Sequence, residues 1–262
     1  MSVSDPQSSA EEGREFVQSL ARGLSIIQAF GADRETMTLT EVAEATGLSR
    51  AAARRFLHTL ETLGFVGRDG RRFFLRPPIL CLGYAYLSSV AWWRVAQPFM
   101  EEVAAEVHES CSASVLDRHE IVYLARVPTR RIMSVNLSIG SRLPAYCTSM
   151  GRVLLSHLPP AELDRYLAES SRIKHTERTQ TDEGALRPIL ERARANGYSL
   201  VDQELDAGVC SLAVPVFDRA GRCIAALNVG AHSMRYSGEK LLADVLPVLL
   251  DASRKITRAL PT

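Results

Sequence analysis

The sequence predicts an α+β protein: an N-terminal winged helix-turn-helix, a linker helix, and a larger C-terminal domain of strand pairs with intervening helices. Three observations carry this expectation. Thr38 and Glu41 form a Thr-x-x-Glu capping box ahead of an apolar-periodic run, and Gly47 and Ser49 then punctuate a second run. An Asp69-Gly70 pair stands between two short apolar runs directly after that second helix, the pattern of a hairpin. Beyond Ser110 the pattern changes to short β-branched runs joined by turn residues, with helical stretches between them.

Residues 1–14, including SDPQSSAEEGRE, are polar and acidic; they read as a disordered arm and not as a signal peptide. The expected DNA-binding head spans residues 15–77. Phe16 to Phe30 reads as a supporting helix, with Val17, Leu20, Leu24 and Ile27 inward and Gly31 as its stop. Leu39, Val42, Ala43 and Thr46 share one face of the next helix. Ser49 can cap the following one, whose inner face is Ala53, Phe56, Leu57, Leu60 and Leu63. Arg50 and Arg54 lie four apart on its other side, beside Arg55, as a recognition helix would place them. Arg68, Arg71 and Arg72 populate the hairpin, which reads as a wing. From Ser49 to Arg76 there are seven Arg against Glu61 and Asp69, a net +5 in a chain whose formal net charge is +1. Positive charge so concentrated is the footprint of a duplex phosphate backbone. The expected duplex contacts are Ser49, Arg50, Arg54, Arg55, Arg68, Arg71 and Arg72. The competing reading is a protein-binding three-helix domain with a solvated basic face.

Pro77-Pro78 breaks the pattern. ILCLGYAYLSSVAWW then reads as a helix apolar on nearly every side, and residues 78–93 are assigned as a linker that is buried or meets a copy of itself. The remaining domain, 94–262, opens with a helix from Val95 to Glu109. CSASVLD and IVYLARV pair around Arg118-His119-Glu120, and IMSVNLS is a further strand. Ser149–His157, Ala161–Ala168 and Ala185–Ala195 are helices. YSLVDQE, VCSLAVPVFD and RCIAALNVG are strands, and Gly238 to Leu260 is a long terminal helix bent at Pro247.

At 262 residues the chain can bury two sizeable cores. No apolar run approaches the length of a membrane span, so a cytoplasmic protein without a membrane partner is expected. The five Cys are odd in number and lack metal or redox spacing, which points to reduced thiols, no metal and no cofactor. Ser171-Arg172-Ile173-Lys174 fits an S-x-x-K pattern but lacks its partner motifs. With no G-x-S-x-G, P-loop or G-x-G-x-x-G either, an enzyme is not expected and no catalytic residue is assigned. An architectural DNA protein would not need so large a C-terminal domain.

These segments together resemble the IclR family of bacterial transcription regulators over nearly the whole chain. SLARGLSIIQAF, LTEVAEATGLSRAAARRFLHTLETLGFV and the wing are similar to the family's head. GSRLPAYCTSMGRVLLSHLP and GYSLVDQELDAGVCSLAVPVFD are similar to its sensory segments, and RVPTRRIMSVNLSIGSRLPAYCTSMGRVLL resembles the branch governing protocatechuate and 4-hydroxybenzoate breakdown. The resemblance implies a GAF-like effector-binding domain, a homodimer or a tetramer built as a dimer of dimers, duplex operator DNA as partner, and a small organic, aromatic acid as effector. A family member answering a non-aromatic small acid, such as a keto acid, is the alternative. Carried over by segment, the family pocket falls on Ile132, Val135, Leu143, Ser149, Met150, Ser211 and Asn228. Ser149-Met150 stands where the family often has Gly-Ala.

The residues support such a pocket independently. Tyr146 to Gly151 enters a helix that Thr148 or Ser149 can cap, and the free N–H groups of a helix start favour an anion. Gly151 admits a close approach by a ligand or another backbone. Ser211 and Asn228 offer polar groups beside Ala213 and Ala226, while Ile132, Val135 and Leu143 would supply apolar wall. An ordinary capped helix packed on a sheet fits the same residues. Arg130, Arg131 and Arg142 are possible carboxylate partners. Asp202, Glu204 and Asp206 read as a solvated acidic loop, with Asp202 near the pocket.

Overall fold

The computed structural model describes residues 16–31, 33–90, 92–129 and 137–260. The chain divides into two compact units, Met1–Ser89 and Val90–Thr262. The expected arm at 1–14 and the strand at 132–138, apart from Leu137 and Ser138, lie outside the described residues.

In the first unit, helices α1 (Gln18–Gln28), α2 (Leu39–Thr46) and α3 (Arg50–Thr62) pack with strands β1 (Thr36–Thr38), β2 (Val66–Asp69) and β3 (Arg72–Leu75). The capping box forms: Thr38 N donates to Glu41 Oε2 at 2.6 Å and Glu41 N donates to Thr38 Oγ1 at 3.3 Å. Those bonds, with the nearby Arg72 charge, hold the Glu41 carboxyl below its ordinary range. Gly47 ends α2 in the left-handed region at φ +66°, a conformation that costs a residue without Cβ little. Ser49 Oγ then accepts from Ala52 N at 3.2 Å to start α3. Ile26, Val42, Ala43, Ala53, Leu57, Leu60, Val66 and Phe73 form the core.

Three expectations for this unit are corrected. Val17, Leu20 and Leu24 are exposed; Ile26 is buried and Ile27 packs against the same core as expected, so the core contacts of this helix lie towards its C-terminal end. Leu63 is also exposed, since α3 has ended at Thr62 and the chain turns away through Gly64. The hairpin turn is Gly70-Arg71, one residue later than the Asp-Gly reading, because Asp69 still pairs with Arg72. Gly70 takes φ +57°, as the first position of a tight hairpin turn requires.

The predicted linker at 78–93 is not one helix. A 3-10 turn (Pro77–Ile79) leads into α4 (Leu80–Ser89), and a new helix, α5 (Trp92–Val107), starts earlier than the expected Val95. Trp92 begins α5 because it is buried in register with Ala96 and Met100 on one helical face of the second unit. In contrast, α4 buries none of its residues within the chain: Leu80, Leu82, Tyr84 and Tyr86 are all exposed.

The second unit is built on one antiparallel sheet in the order β6-β5-β4-β9-β8-β7. Its strands are β4 (Ser110–Asp117), β5 (Glu120–Val127), β6 (Arg142–Pro144), β7 (Ser199–Asp202), β8 (Val209–Phe217) and β9 (Cys223–His232). Helices α6 (Ser149–Ser156), α7 (Pro160–Glu169) and α8 (Glu183–Asn196) stand between β6 and β7. Every residue of α6 is buried, and the helix packs on β8, β9, β4 and β7. Alternate strand residues such as Leu212, Leu227 and Val229 are fully buried too, so both faces of the sheet are covered. The terminal segment is not one bent helix. A short turn of helix, α9 (Gly238–Lys240), passes through a π segment (Leu241–Val245) into α10 (Leu246–Ala259). Pro247 sits in the first turn of α10, where a missing N–H costs nothing, and the wide π segment absorbs the break before it. Among the described residues no helix is long and apolar enough to cross a membrane.

Candidate functional site

The head presents its arginines as the pattern required. Arg50, Arg54 and Arg55 on α3, and Arg68, Arg71 and Arg72 on the hairpin, are all exposed. Two of the named residues have local work as well. Ser49 is the cap of α3. Arg72 Nη1 donates to Thr36 O at 3.1 Å and Thr36 Oγ1 at 3.3 Å and lies 3.6 Å from Glu41 Oε2. Arg72 therefore braces the hairpin against the entry to α2, which leaves Arg68 and Arg71 as the freer cations of the wing.

In the second unit the structure gathers Leu143, Ser149, Met150, Ser211 and Asn228 around one cavity. Strand pairing builds its floor. Ser112 stands opposite Arg126 on one side and opposite Asn228 on the other. Gly230 stands opposite both Ser110 and Ser211, and Ser211 opposite Val201. All of these line the cavity.

The start of α6 closes it from above. Thr148, not Ser149, is the cap, its Oγ1 accepting from Gly151 N at 3.2 Å. This frees the Ser149 hydroxyl to bond Ser211 Oγ at 2.9 Å. Met150 turns its sulfur to Ser114 Oγ at 3.2 Å. At Gly151 the close approach is by backbone: a Cβ there would lie 2.1 Å from Ala145 O.

Sequence reasoning missed Arg126, which brings the one guanidinium to the lining among the described residues. Its Nη1 donates to Ser112 Oγ at 3.4 Å and its Nη2 to Ser110 Oγ at 3.5 Å. Tyr123 lines the same cavity although it is an odd number of residues away. A β-bulge explains this: pairing of β4 with β5 shifts between Ala113 and Ser114, so Ser114 faces Tyr123 while Ser112 faces Arg126. No strict alternation would place both on one face. The Ser110 and Ser112 alternation in β4 was a legible signal; the bulge was not. Burial pushes the Tyr123 phenol up to about 12, against the opposing pull of Arg126, so it stays a neutral hydrogen-bonding group. Burial also pushes the Cys147 thiol up to about 12, which leaves no thiolate nucleophile there.

Several named residues stand elsewhere. Ile132 and Val135, with Arg130 and Arg131, lie outside the described residues. Arg142 is held by Glu120 and Asp117, each at 2.7 Å, on the exposed side of β6 and does not line the cavity. Asp202 is not in the lining either: its carboxylate is ion-paired with Arg178. Leu205 and Asp206, further along the same loop, line it instead.

Nor is that loop simply solvated. Glu204 is buried in a bidentate pair with Arg152 of α6, at 2.6 and 2.7 Å. Gln180 N donates to Glu204 Oε2 at 2.9 Å, and Arg152 Nε donates to Tyr146 O at 2.9 Å. The pair ties the helix over the cavity to the loop beside it. Among the described residues no group of three or more His, Cys, Asp or Glu could hold a metal ion.

Comparison with known proteins identifies the family. Residues 19–70 match the IclR helix-turn-helix domain, and residues 84–258 match the C-terminal domain of the bacterial transcriptional regulator IclR. The Pca regulon regulatory protein of Pseudomonas putida is 43% identical over 94% of this chain and 85% of its own length. The p-hydroxybenzoate hydroxylase transcriptional activator of Acinetobacter baylyi is 36% identical over 97% of this chain and 96% of its own length. An IclR homolog from Microbacterium hydrocarbonoxydans, solved in complex with 4-hydroxybenzoate, superposes with a TM-score of 0.80 at 26% identity, over 92% of this chain and all of its own. With a basic winged head in one unit and an enclosed apolar cavity in the other, the chain belongs to the IclR family of bacterial transcriptional regulators.

Proposed function

We propose that this regulator senses a small aromatic carboxylic acid and controls genes for aromatic acid breakdown. The observation that carries the reading is the cavity itself: apolar walls, one guanidinium at Arg126 and the start of α6 converge on it. A guanidinium pairs with a carboxylate through two parallel hydrogen bonds, and helix N–H groups favour the same charge. Two relatives named for aromatic acid regulation, and the homolog that holds 4-hydroxybenzoate, support the ring. Calorimetry on the full-length protein with 4-hydroxybenzoate, protocatechuate and a keto acid tests it. Tight binding of the keto acid alone would transfer the assignment to the non-aromatic class. Arg126→Met is expected to weaken aromatic acid binding about ten- to hundredfold, the usual worth of a hydrogen bond to a charged group. Unchanged affinity would move the carboxylate to the start of α6, at Ser149 and Met150.

The same reading makes the head the duplex-binding surface. Arg50 and Arg54 face the major groove from α3, while Arg68 and Arg71 meet phosphates from the wing. Arg71→Ala is expected to weaken binding to all duplexes alike and make the salt dependence shallower by about one unit. A salt dependence identical to wild type would take the wing off the DNA. The unburied apolar side chains of α4 support a homodimer, or a tetramer made of two, since such a surface is costly to leave in water. Acid binding then acts by population shift, favouring one arrangement of the dimer over another.

A further inference from the structure

The floor of the cavity holds a polar atom without a hydrogen-bond partner among the described residues. Asn228 is 8% exposed, and its Oδ1 accepts no hydrogen bond among the described residues. Its neighbours cannot serve. On β8 it faces Ala213, which has no donor side chain, and on β4 it faces Ser112, whose hydroxyl accepts from Arg126 and makes no bond to the amide oxygen. A buried acceptor left in this way is costly, and the cost is recovered when a ligand donates to it. Arg126, Ser112 and Asn228 stand side by side on three adjacent strands, so a guanidinium and an orphaned amide oxygen share one floor.

From this juxtaposition we propose that Asn228 is the specificity-determining residue of the cavity: it accepts a hydrogen bond from a ring hydroxyl of the bound acid while Arg126 holds the carboxylate. The inference rests on the aromatic acid reading above and narrows it to hydroxylated rings. A site built to bond a hydroxyl rejects the analogue that lacks one, because burying that analogue leaves the acceptor unpaired for good. Tyr123, kept neutral on the same face, adds a second group able to orient a hydroxylated ring.

The test is calorimetric titration of the full-length protein with benzoate, 3-hydroxybenzoate, 4-hydroxybenzoate and 3,4-dihydroxybenzoate. On the wild type at least one hydroxylated acid should bind about tenfold or more tightly than benzoate. In Asn228→Ala that advantage should collapse towards parity, mainly through loss of affinity for the hydroxylated acid and not for benzoate. Thermal unfolding would check that the variant folds, and the near-isosteric Asn228→Leu, which also removes the acceptor, takes its place where it does not. Equal binding of benzoate and every hydroxylated acid would overturn the inference while leaving an aromatic acid sensor standing. So would an undiminished advantage in Asn228→Ala. If no acid of the series binds the wild type, the aromatic reading itself fails, and the role of Asn228 with it.

Discussion

Replacing Glu204 with Gln should lower the stability of the second unit by about 3–5 kcal/mol, the usual cost of leaving one member of a buried ion pair uncompensated. For a unit of this size that corresponds to a fall in melting temperature of roughly 6–20 °C. The Arg152 guanidinium would stay buried with its bond to Tyr146 O and at most one to the new amide oxygen, and with no counter-charge. Arg152→Met should cost a similar amount, since the Glu204 carboxylate would keep the Gln180 N–H bond but lose its cation. The double variant, Arg152→Met with Glu204→Met, should be less damaged than either single one, because replacing both charges removes the unpaired ion. Thermal unfolding of the three proteins decides it. Additive losses would mean that the two residues act separately and that no pair energy exists. The singles should also lose acid affinity, because Leu205 and Asp206 follow Glu204 directly and line the cavity.

Gly151→Ala should be as harmful by a different route. The added methyl would lie 2.1 Å from the Ala145 carbonyl oxygen and 2.4 Å from the Ala145 Cα. Neither is the end of a flexible side chain. Overpacking a tight interior costs about 1–3 kcal/mol where side chains can give way, and contact with main chain belongs at or above the upper end of that range. Relief requires α6 to lift from the 145–148 segment, and that movement takes Ser149 away from Ser211. Reduced thermal stability together with weakened acid binding is therefore expected. A variant with wild-type stability and affinity would show that α6 has freedom here that its packing denies.

The local parts of the fold were legible because local chemistry decides them. Thr38, Glu41, Gly47 and Ser49 specify two helix starts and a helix end through bonds within a few residues. Strands β4, β5, β7, β8 and β9 could be read from their β-branched runs, while the three-residue β6 carries no such run. What could not be read was anything decided across the chain. The polarity of Glu204 suggested solvent, yet its partner Arg152 is 52 residues away and buried with it. Arg126 lies near the end of an otherwise apolar strand with nothing to mark its direction, and the bulge that turns it to the cavity depends on how β4 and β5 pair. The inward face of α1 was misassigned because Leu20 and Leu24 are as apolar as the core requires but have no core beside them. Of the cavity residues, those on the helix start and on β8 and β9 were carried over by segment from the family resemblance. The cation on the floor opens another such segment, RVPTRR, but no pocket role came with it.

The placement of Arg126, Ser112 and Asn228 directly opposite one another has a further consequence. Adjacent strands lie about 4.8 Å apart, and backbone hydrogen bonds fix that interval wherever the register holds. The floor is thus a ruler with chemical marks at fixed divisions, and a ligand is measured by how far apart its polar groups lie. Exchanging the side chain at one mark alters what is measured while the divisions stay the same. Related sensors can then diverge in the acid they answer without rebuilding the sheet that reads it.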